Sequence, residues 1–152
     1  MAAPEQRQLA GEVRVTGMDH EDWTENEFVD ASRSVRQVLH PLNPDAGVPI
    51  APVKWGGECR VEVDCHAAVV PPAENSINIW GEARFYEGAS EDTGEKEDSK
   101  PYEFHVPKTY AGHLPTTYHV HLRNSTVVGE EDYADVWFSL SNDRPPELPP
   151  PG

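Results

Sequence analysis

The fold is decided by the segment ECRVEVDCHAAVV, which occupies residues 58–70. Its apolar and polar residues alternate, so that one face would carry Cys59, Val61, Val63, Cys65, Ala67 and Val69. The other face would carry Glu58, Arg60, Glu62, Asp64 and His66. Because successive side chains of a strand point to opposite sides, this alternation predicts a long β-strand with one buried face and one face in water.

Four later segments repeat this alternation, and a shorter one near residues 9–16 does so with Val13 and Val15. Strands that are polar on one face are typical of antiparallel sheets, since parallel sheets are usually covered on both faces. The pattern therefore predicts an all-β fold, an antiparallel β-sandwich of the immunoglobulin-like or C2-like kind with about six to eight strands. We expect the following side chains to be almost fully buried: Val61, Val63, Ile79, Phe85, Phe104, Val120, Leu122, Phe138 and Leu140.

One segment breaks the alternation and has the spacing of a helix. Thr24 and Glu27 match a capping box, in which each side chain accepts a hydrogen bond from an orphan backbone N–H. Apolar residues follow at helical spacing, namely Phe28, Ala31, Val35, Val38 and Leu39. Pro41 cannot continue a helix. This segment is therefore predicted to form one short helix over residues 25–39.

The length of 152 residues fits one domain. We expect a flexible lead over residues 1–8, a single β-sandwich domain over 9–143 and a proline-rich tail over 144–152. The prolines of the tail favour an extended polyproline conformation.

The chain is strongly acidic, with 12 basic and 27 acidic residues and a formal charge of −15. Such a field repels phosphate backbones and anionic lipid headgroups, so neither a nucleic acid nor a membrane is expected as a partner. Another protein is the expected partner, and a divalent cation would also suit the charge.

Two observations favour a soluble, cytoplasmic protein. The sequence has no run of about 18 apolar residues and no visible secretion signal, although export without a leader would escape this test. Cys59 and Cys65 would lie about 20 Å apart on one strand, whereas the Cα atoms of a disulfide lie within about 7 Å. Two buried free thiols suit a reducing compartment.

Acidic residues are concentrated in two predicted loops, at residues 87–100 and 130–132. If the strands form an up-and-down meander, these loops are alternate connections and lie at the same end of the sheet. Their oxygens are the kind of ligand that Ca²⁺ takes. The converging side chains would be Glu91, Asp92, Glu95, Asp98, Glu131 and Asp132. The loop placement is similar to that of the C2 domain, although no C2 motif is present; the alternative is a solvated acidic hairpin that keeps the sheet edge from pairing.

Histidines alternate with core residues on two predicted strands, which places His119 and His121 on one face about 6.6 Å apart. In the hairpin register that buries the apolar residues of both strands, His105 would lie opposite His119 and Glu103 opposite His121. Three imidazoles and a carboxylate are a ligand set for Zn²⁺. The alternative is a row of exposed polar histidines on the outer face of a sheet.

Three aromatic residues, Trp80, Tyr86 and Trp137, alternate with core residues and should point away from the core. Exposed aromatic rings of this size mark protein interfaces or carbohydrate platforms. The alternative is that the predicted helix packs its apolar stripe over Trp80 and Trp137.

No catalytic signature is visible in the sequence. It lacks a Gly-x-Ser-x-Gly elbow and a glycine-rich phosphate loop, and both cysteines should point into the core. We therefore expect a non-catalytic protein-interaction or structural module without a cofactor. The alternatives are a Ca²⁺-dependent binding domain that uses the acidic loops, and a carbohydrate-binding module that uses Trp80 and Trp137.

Overall fold

A computed structural model describes residues 5–19, 26–70, 75–110, 114–124 and 132–146. These residues form nine β-strands, and none of them is in a helix. The strands are β1 (Arg7–Asp19), β2 (Glu27–Leu39), β3 (Ala46–Gly47), β4 (Val53–Trp55), β5 (Cys59–Val70), β6 (Ser76–Glu87), β7 (Lys96–Val106), β8 (Thr116–Arg123) and β9 (Tyr133–Asp143). Within these ranges no helix is long and apolar enough to span a membrane.

The strands form two antiparallel sheets that pack face to face. The first sheet has the order β2-β1-β9-β8, and the second has the order β3-β5-β6-β7, with β4 also paired to β5. Consecutive strands pair at β1–β2, β4–β5, β5–β6, β6–β7 and β8–β9. After β7 the chain crosses from the second sheet to the first. The predicted β-sandwich is therefore confirmed, with nine strands in place of the six to eight expected.

The core lies between the sheets and contains the residues predicted for it. All nine expected core side chains are buried, with at most 8% of their surface exposed. Rings from both sheets meet in it, because the ring centroid of Phe138 lies 4.8 Å from that of Tyr102 and 5.3 Å from that of Phe104. Tyr118 stacks on Phe104 at 4.7 Å. Since β7 belongs to the second sheet and β8 and β9 belong to the first, these ring contacts join the two sheets.

The predicted helix over residues 25–39 is wrong, because residues 27–39 form strand β2. This strand pairs with β1 along its whole length of 13 residues. Two of the apolar residues that produced the helical spacing, Phe28 and Val38, are 58% and 49% exposed. Thr24, the first residue of the predicted capping box, lies outside the described residues.

The helical spacing arises because polar residues occupy inward positions of β2. The inward positions are Val29, Ala31, Arg33, Val35, Gln37 and Leu39. Arg33 donates hydrogen bonds to the carbonyl oxygens of Ala51 (3.1 Å) and Pro52 (2.9 Å). Gln37 donates to the carbonyl oxygen of Gly47 (3.0 Å). These acceptors lie on β3 and on the loop that leads to β4, so the two polar side chains connect the sheets at this edge and interrupt the apolar row without disturbing the strand.

Both cysteines lie on β5, face the core and are free thiols, as the strand prediction required. Burial raises the pKa of the Cys65 thiol to about 11. Burial, together with the nearby carboxyl group of Asp19, also raises the pKa of the Cys59 thiol above its ordinary value. A protonated, buried thiol is a poor nucleophile.

The first sheet begins slightly earlier than predicted. Strand β1 starts at Arg7, and Arg7 and Gln8 are both buried, so the last two residues of the expected lead belong to the sheet. Of the proline-rich tail, residues 144–146 are described and have no regular structure. The remaining tail residues lie outside the described part of the chain.

Candidate functional site

Two histidines and an aspartate converge on the outer face of the first sheet. His119 and His121 are two residues apart on β8 and therefore point to the same side. Asp135 lies directly opposite His121 on β9. Its Oδ1 atom lies 2.6 Å from Nε2 of His119 and 2.7 Å from Nδ1 of His121. One ligand atom from each of these side chains, which we call the double-histidine group, lies within 4.8 Å of the others.

Neighbouring side chains orient the double-histidine group. Trp137, opposite His119 on β9, stacks on its ring with a centroid distance of 3.9 Å and an angle of 7°. Nε1 of Trp137 donates a hydrogen bond to Oγ1 of Thr16 (3.0 Å), which fixes the indole. The Asp135 side chain is 15% exposed, whereas those of His119 and His121 are 41% and 45% exposed. The carboxylate therefore lies beneath two imidazoles that are open to water.

The sequence predicts a common face for His119 and His121, and the structure places them on one. The predicted hairpin register is wrong, because β7 pairs with β6 and not with β8. His105 and Glu103 therefore lie on the second sheet, opposite residues of β6. The predicted zinc set of three histidines and Glu103 is not assembled.

Asp135 is the one member of the double-histidine group that is not predicted from the sequence as a possible metal ligand. A signal for it exists, because Asp135 has the outward phase of a strand whose Val136 and Phe138 point inward. Its meeting with His121, however, depends on the pairing of β8 with β9. Alternation along one strand does not specify which strand will be its neighbour.

Three of the six acidic residues predicted to bind Ca²⁺ are engaged with protein donors. Within the described residues, those side chains do not bring three ligand atoms within 4.8 Å of one another. Three of them are held in the pairs Lys54–Asp92 (2.8 Å), Gly57 N–Glu91 (3.1 Å) and Arg123 N–Asp98 (3.0 Å). Glu95 is exposed, Asp132 is buried, and Glu131 lies outside the described residues.

A largely buried acidic group lies at the end of the sandwich where β1, β6 and β8 end and β2, β7 and β9 begin, which we call the hairpin end. Ligand atoms of Asp19, Cys59 and Glu87 lie within 4.8 Å of one another there. Glu87 accepts a hydrogen bond from Nδ2 of Asn124 (3.2 Å) and contacts Asp132, so the bases of both acidic loops do meet. Burial, reinforced by the carboxyl groups of Asp132 and Asp19, raises the pKa of Glu87 to about 8. Burial and the neighbouring carboxyl groups thus favour the protonated forms of Glu87 and of the Cys59 thiol.

The second sheet carries a smaller set of the same kind on its outer face. Nδ1 of His66 on β5 lies 2.7 Å from Oδ1 of Asp45, and we call this pair the single-histidine group. The His66 ring stacks on Trp80 of β6 with centroids 5.6 Å apart and an angle of 13°. Trp80 and Trp137 thus lie on opposite outer faces of the sandwich. A platform that joins both tryptophans is not formed, and no described helix covers either of them.

Comparisons with protein-family models, with curated proteins and with solved structures found no match for this chain. Any functional inference therefore rests on the geometry of the described residues, where the double-histidine group brings two exposed imidazoles and a carboxylate together.

Proposed function

We propose that the chain is a non-catalytic binding module that takes up a divalent transition-metal ion of the Zn²⁺ class on the outer face of its first sheet. A single observation carries the proposal: Oδ1 of Asp135 lies 2.6 Å and 2.7 Å from ring nitrogens of His119 and His121. Three ligand atoms therefore already converge. Two imidazoles and one carboxylate suit Zn²⁺ better than Ca²⁺, which prefers an all-oxygen set.

The ligand atoms need only a small movement to accept the ion. Zinc binds imidazole nitrogen and carboxylate oxygen at about 2.0–2.2 Å, so the ligand atoms of a tetrahedral site lie about 3.3 Å apart. The Asp135 oxygen now lies somewhat closer than that to each ring, in contacts that the ion would replace. The exposed imidazoles can move outward, while Asp135 stays beneath them. At least one coordination position would then remain for water or for a group of another protein.

The position of the double-histidine group favours binding over catalysis. A catalytic metal needs a shaped cavity that excludes bulk water, and this group lies on an open sheet face. Cys59 and Cys65 supply no nucleophile, since both are buried. The formal charge of −15 attracts cations, so a metal ion and a basic surface of a partner protein both suit this chain. The open coordination position would let such a partner contribute a ligand.

Metal titration of the full chain tests the proposal. After treatment with a chelator, Zn²⁺ would be added in a calorimeter, and Co²⁺ would be added with visible absorption as the readout. We expect one saturable ion per chain. His119→Ala and His121→Ala should each weaken binding by about 100-fold or more, because even the loss of a residue that merely supports a ligand costs about 10–100-fold.

His66→Ala is the matched control, because it removes an equally paired histidine from the other outer face. It should leave the affinity unchanged. Trp137 gives a second readout, since Cu²⁺ bound beside its stacking partner should quench its fluorescence, and Trp137→Phe should remove that part of the quenching. Undiminished binding in His121→Ala, or equal losses in His121→Ala and His66→Ala, would contradict the proposal.

The calcium-dependent alternative has its own test in the acidic loops at residues 87–100 and 130–132. Melting curves would be measured in chelator, in millimolar Ca²⁺ and in sodium chloride of the same ionic strength. A rise specific to Ca²⁺ that disappears in Asp98→Asn and Asp132→Asn would support it, because a ligand that binds only the folded chain raises its stability. Equal curves in Ca²⁺ and in salt would leave a solvated acidic hairpin.

A further inference from the structure

A small basic pocket lies at the end of the sandwich opposite the hairpin end, where β1 begins and β7 and β9 end. Its volume is about 340 Å³. It is lined by Glu5, Arg7, Lys108, Thr109, Tyr110 and Arg144. The chain has only 12 basic residues against 27 acidic ones. Three of the basic residues, Arg7, Lys108 and Arg144, nevertheless surround the single carboxyl group of Glu5. This local excess of positive charge runs against the charge of the whole chain and favours an anion.

The guanidinium of Arg7 is built into this pocket. The residue is only 3% exposed. Its Nε donates a hydrogen bond to Oδ1 of Asn142 (2.6 Å), and its Nη2 donates to the carbonyl oxygen of Asn142 (3.0 Å). Asn142 is fully buried, and its Nδ2 donates to the carbonyl oxygens of Asn75 and Val106. Because Asn142 is held on both sides, Arg7 presents Nη1 to the pocket in one fixed direction.

Glu5 occupies the pocket from within the chain. Its Oε1 accepts a hydrogen bond from Nη1 of Arg7 (2.8 Å) and lies 3.5 Å from Nζ of Lys108. Desolvation alone would raise the pKa of Glu5, but the charges of Lys108 and Arg7, with Arg144 beyond them, hold that pKa below its ordinary value. One carboxylate against three cations still leaves positive charge uncompensated. A dianion would balance it better than the single charge of Glu5.

We propose that this pocket binds a small, doubly charged oxyanion of the phosphate class, and that Glu5 occupies it in cis until such an anion displaces it. Guanidinium and ammonium groups both donate charge-assisted hydrogen bonds to phosphate oxygens. The hydroxyl of Thr109 accepts a hydrogen bond from N of Asn142 (3.0 Å), so its own proton is available to an anion. The pocket lies away from the double-histidine group, and this inference does not depend on the proposed metal site.

Glu5→Gln tests this inference, because the amide keeps the shape of the side chain and removes the competing charge. The variant would be melted in sodium phosphate and in sodium chloride at the same pH and ionic strength. We expect phosphate to raise its Tm by about 3–6 °C at a tenfold excess over Kd, and by less in the natural chain, where Glu5 competes. Broadening of the ³¹P resonance of inorganic phosphate would report the binding directly.

Glu12→Gln is the matched control, since it makes the same change of charge at an exposed position of β1 outside the pocket. It should show no rise specific to phosphate. Adding Lys108→Gln to Glu5→Gln should abolish the rise without disturbing buried Arg7. Equal melting of Glu5→Gln in phosphate and chloride would overturn the inference, and an equal rise in acetate would overturn the preference for a dianion.

Discussion

The two outer faces of the sandwich carry the same kinds of side chain but differ in what they can bind. The double-histidine and single-histidine groups both place an imidazole on a tryptophan ring, with a carboxylate oxygen 2.6 Å and 2.7 Å away, respectively. The double-histidine group adds a second imidazole to the same oxygen, at 2.7 Å. A lone histidine–aspartate contact at a surface contributes little free energy. In the double-histidine group the nitrogen of the second imidazole adds a third potential ligand atom, so the side chains form a set that could hold a metal ion.

The difference follows from the strands that supply the side chains. In the double-histidine group, β8 supplies both imidazoles, and β9 supplies both the carboxylate and the stacking tryptophan. In the single-histidine group, the carboxylate of Asp45 comes from the chain just before β3, while Trp80 comes from β6 on the other side of β5. The next outward position of β5 toward Asp45 is Ala68, which has no ligand atom. The two groups therefore differ by one potential ligand: the double-histidine group has a second imidazole, and the single-histidine group has Ala68 at the corresponding position.

Replacement of Asp135 by Asn should have the largest effect on this contrast, because both histidines share that carboxylate. The amide keeps the size of the side chain but loses the charge that holds a divalent cation. We expect the affinity for Zn²⁺ to fall by at least about 100-fold, or about 2.7 kcal/mol. Asp45→Asn makes the equivalent change on the other face and should leave the affinity as it is. A calorimetric titration in which both variants lose affinity equally would remove the distinction between the faces.

Glu87 should have the next largest effect, because it gives the metal-free chain a pH dependence of its own. Its pKa is raised from an ordinary 4.5 to about 8, so between these values the unfolded chain has lost a proton that the folded chain keeps. The contribution of Glu87 to stability is therefore fully present below about pH 4.5 and is lost as the pH rises toward 8. A difference of one proton gives a slope of about 1.4 kcal/mol per pH unit between the two pKa values, and partial exposure of Glu87 should shorten that pH interval to about half.

Metal uptake should depend on pH with the opposite sign, since imidazole binds a metal ion only in its neutral form and acid releases the ion. Glu87→Gln should flatten the pH dependence of the chelator-treated chain and leave the stabilisation by Zn²⁺ intact. Denaturant unfolding between pH 5 and pH 8, with and without Zn²⁺, would measure both terms. A slope that survives Glu87→Gln would assign the proton to another group.

Ala68→His should have the smallest effect and would give the second face its missing imidazole. Extension of the β3–β5 pairing by one residue places Asp45 beside position 68, two residues from His66 on the same face. Ala68 is only 9% exposed, so a larger side chain must turn outward. We therefore expect Zn²⁺ binding about 10-fold or more weaker than at the double-histidine group. A second ion per chain in the calorimeter would support the argument, whereas a folded variant that still binds a single ion would contradict it.

The sequence predicts the fold well where one face of a strand is uniformly apolar. In β5 the apolar row from Cys59 to Val69 is unbroken, and its phase is correct throughout. In β2, Arg33 and Gln37 occupy inward positions while Phe28 and Val38 point outward, so the period of two is concealed and a helical spacing emerges. The alternating pattern fails in β2 because burial alone does not decide which residues face inward. Arg33 and Gln37 face inward because they donate hydrogen bonds to backbone carbonyl oxygens of residues 47–52.

The candidate site is only half predictable for a related reason. The position of His119 and His121 on one face follows from the geometry of a single strand. The meeting with Asp135 depends on which strand lies beside β8, and that is settled by the crossing of the chain from the second sheet to the first. The same crossing separates His105 from the other two histidines. Long-range packing decides which strand lies beside β8, so a local sequence pattern cannot predict that pairing.

Arg33 also affects how whole molecules meet. Strand β2 is a long edge strand of the first sheet, and such an edge offers its backbone to any extended chain that approaches. A charged side chain that points inward from an edge strand opposes that addition, because a molecule stacked against the edge would have to desolvate the guanidinium or pull it from the carbonyl oxygens of Ala51 and Pro52. The residue that conceals the strand in the sequence is therefore of the kind that opposes edge-to-edge addition of strands, the step by which cross-β fibrils grow.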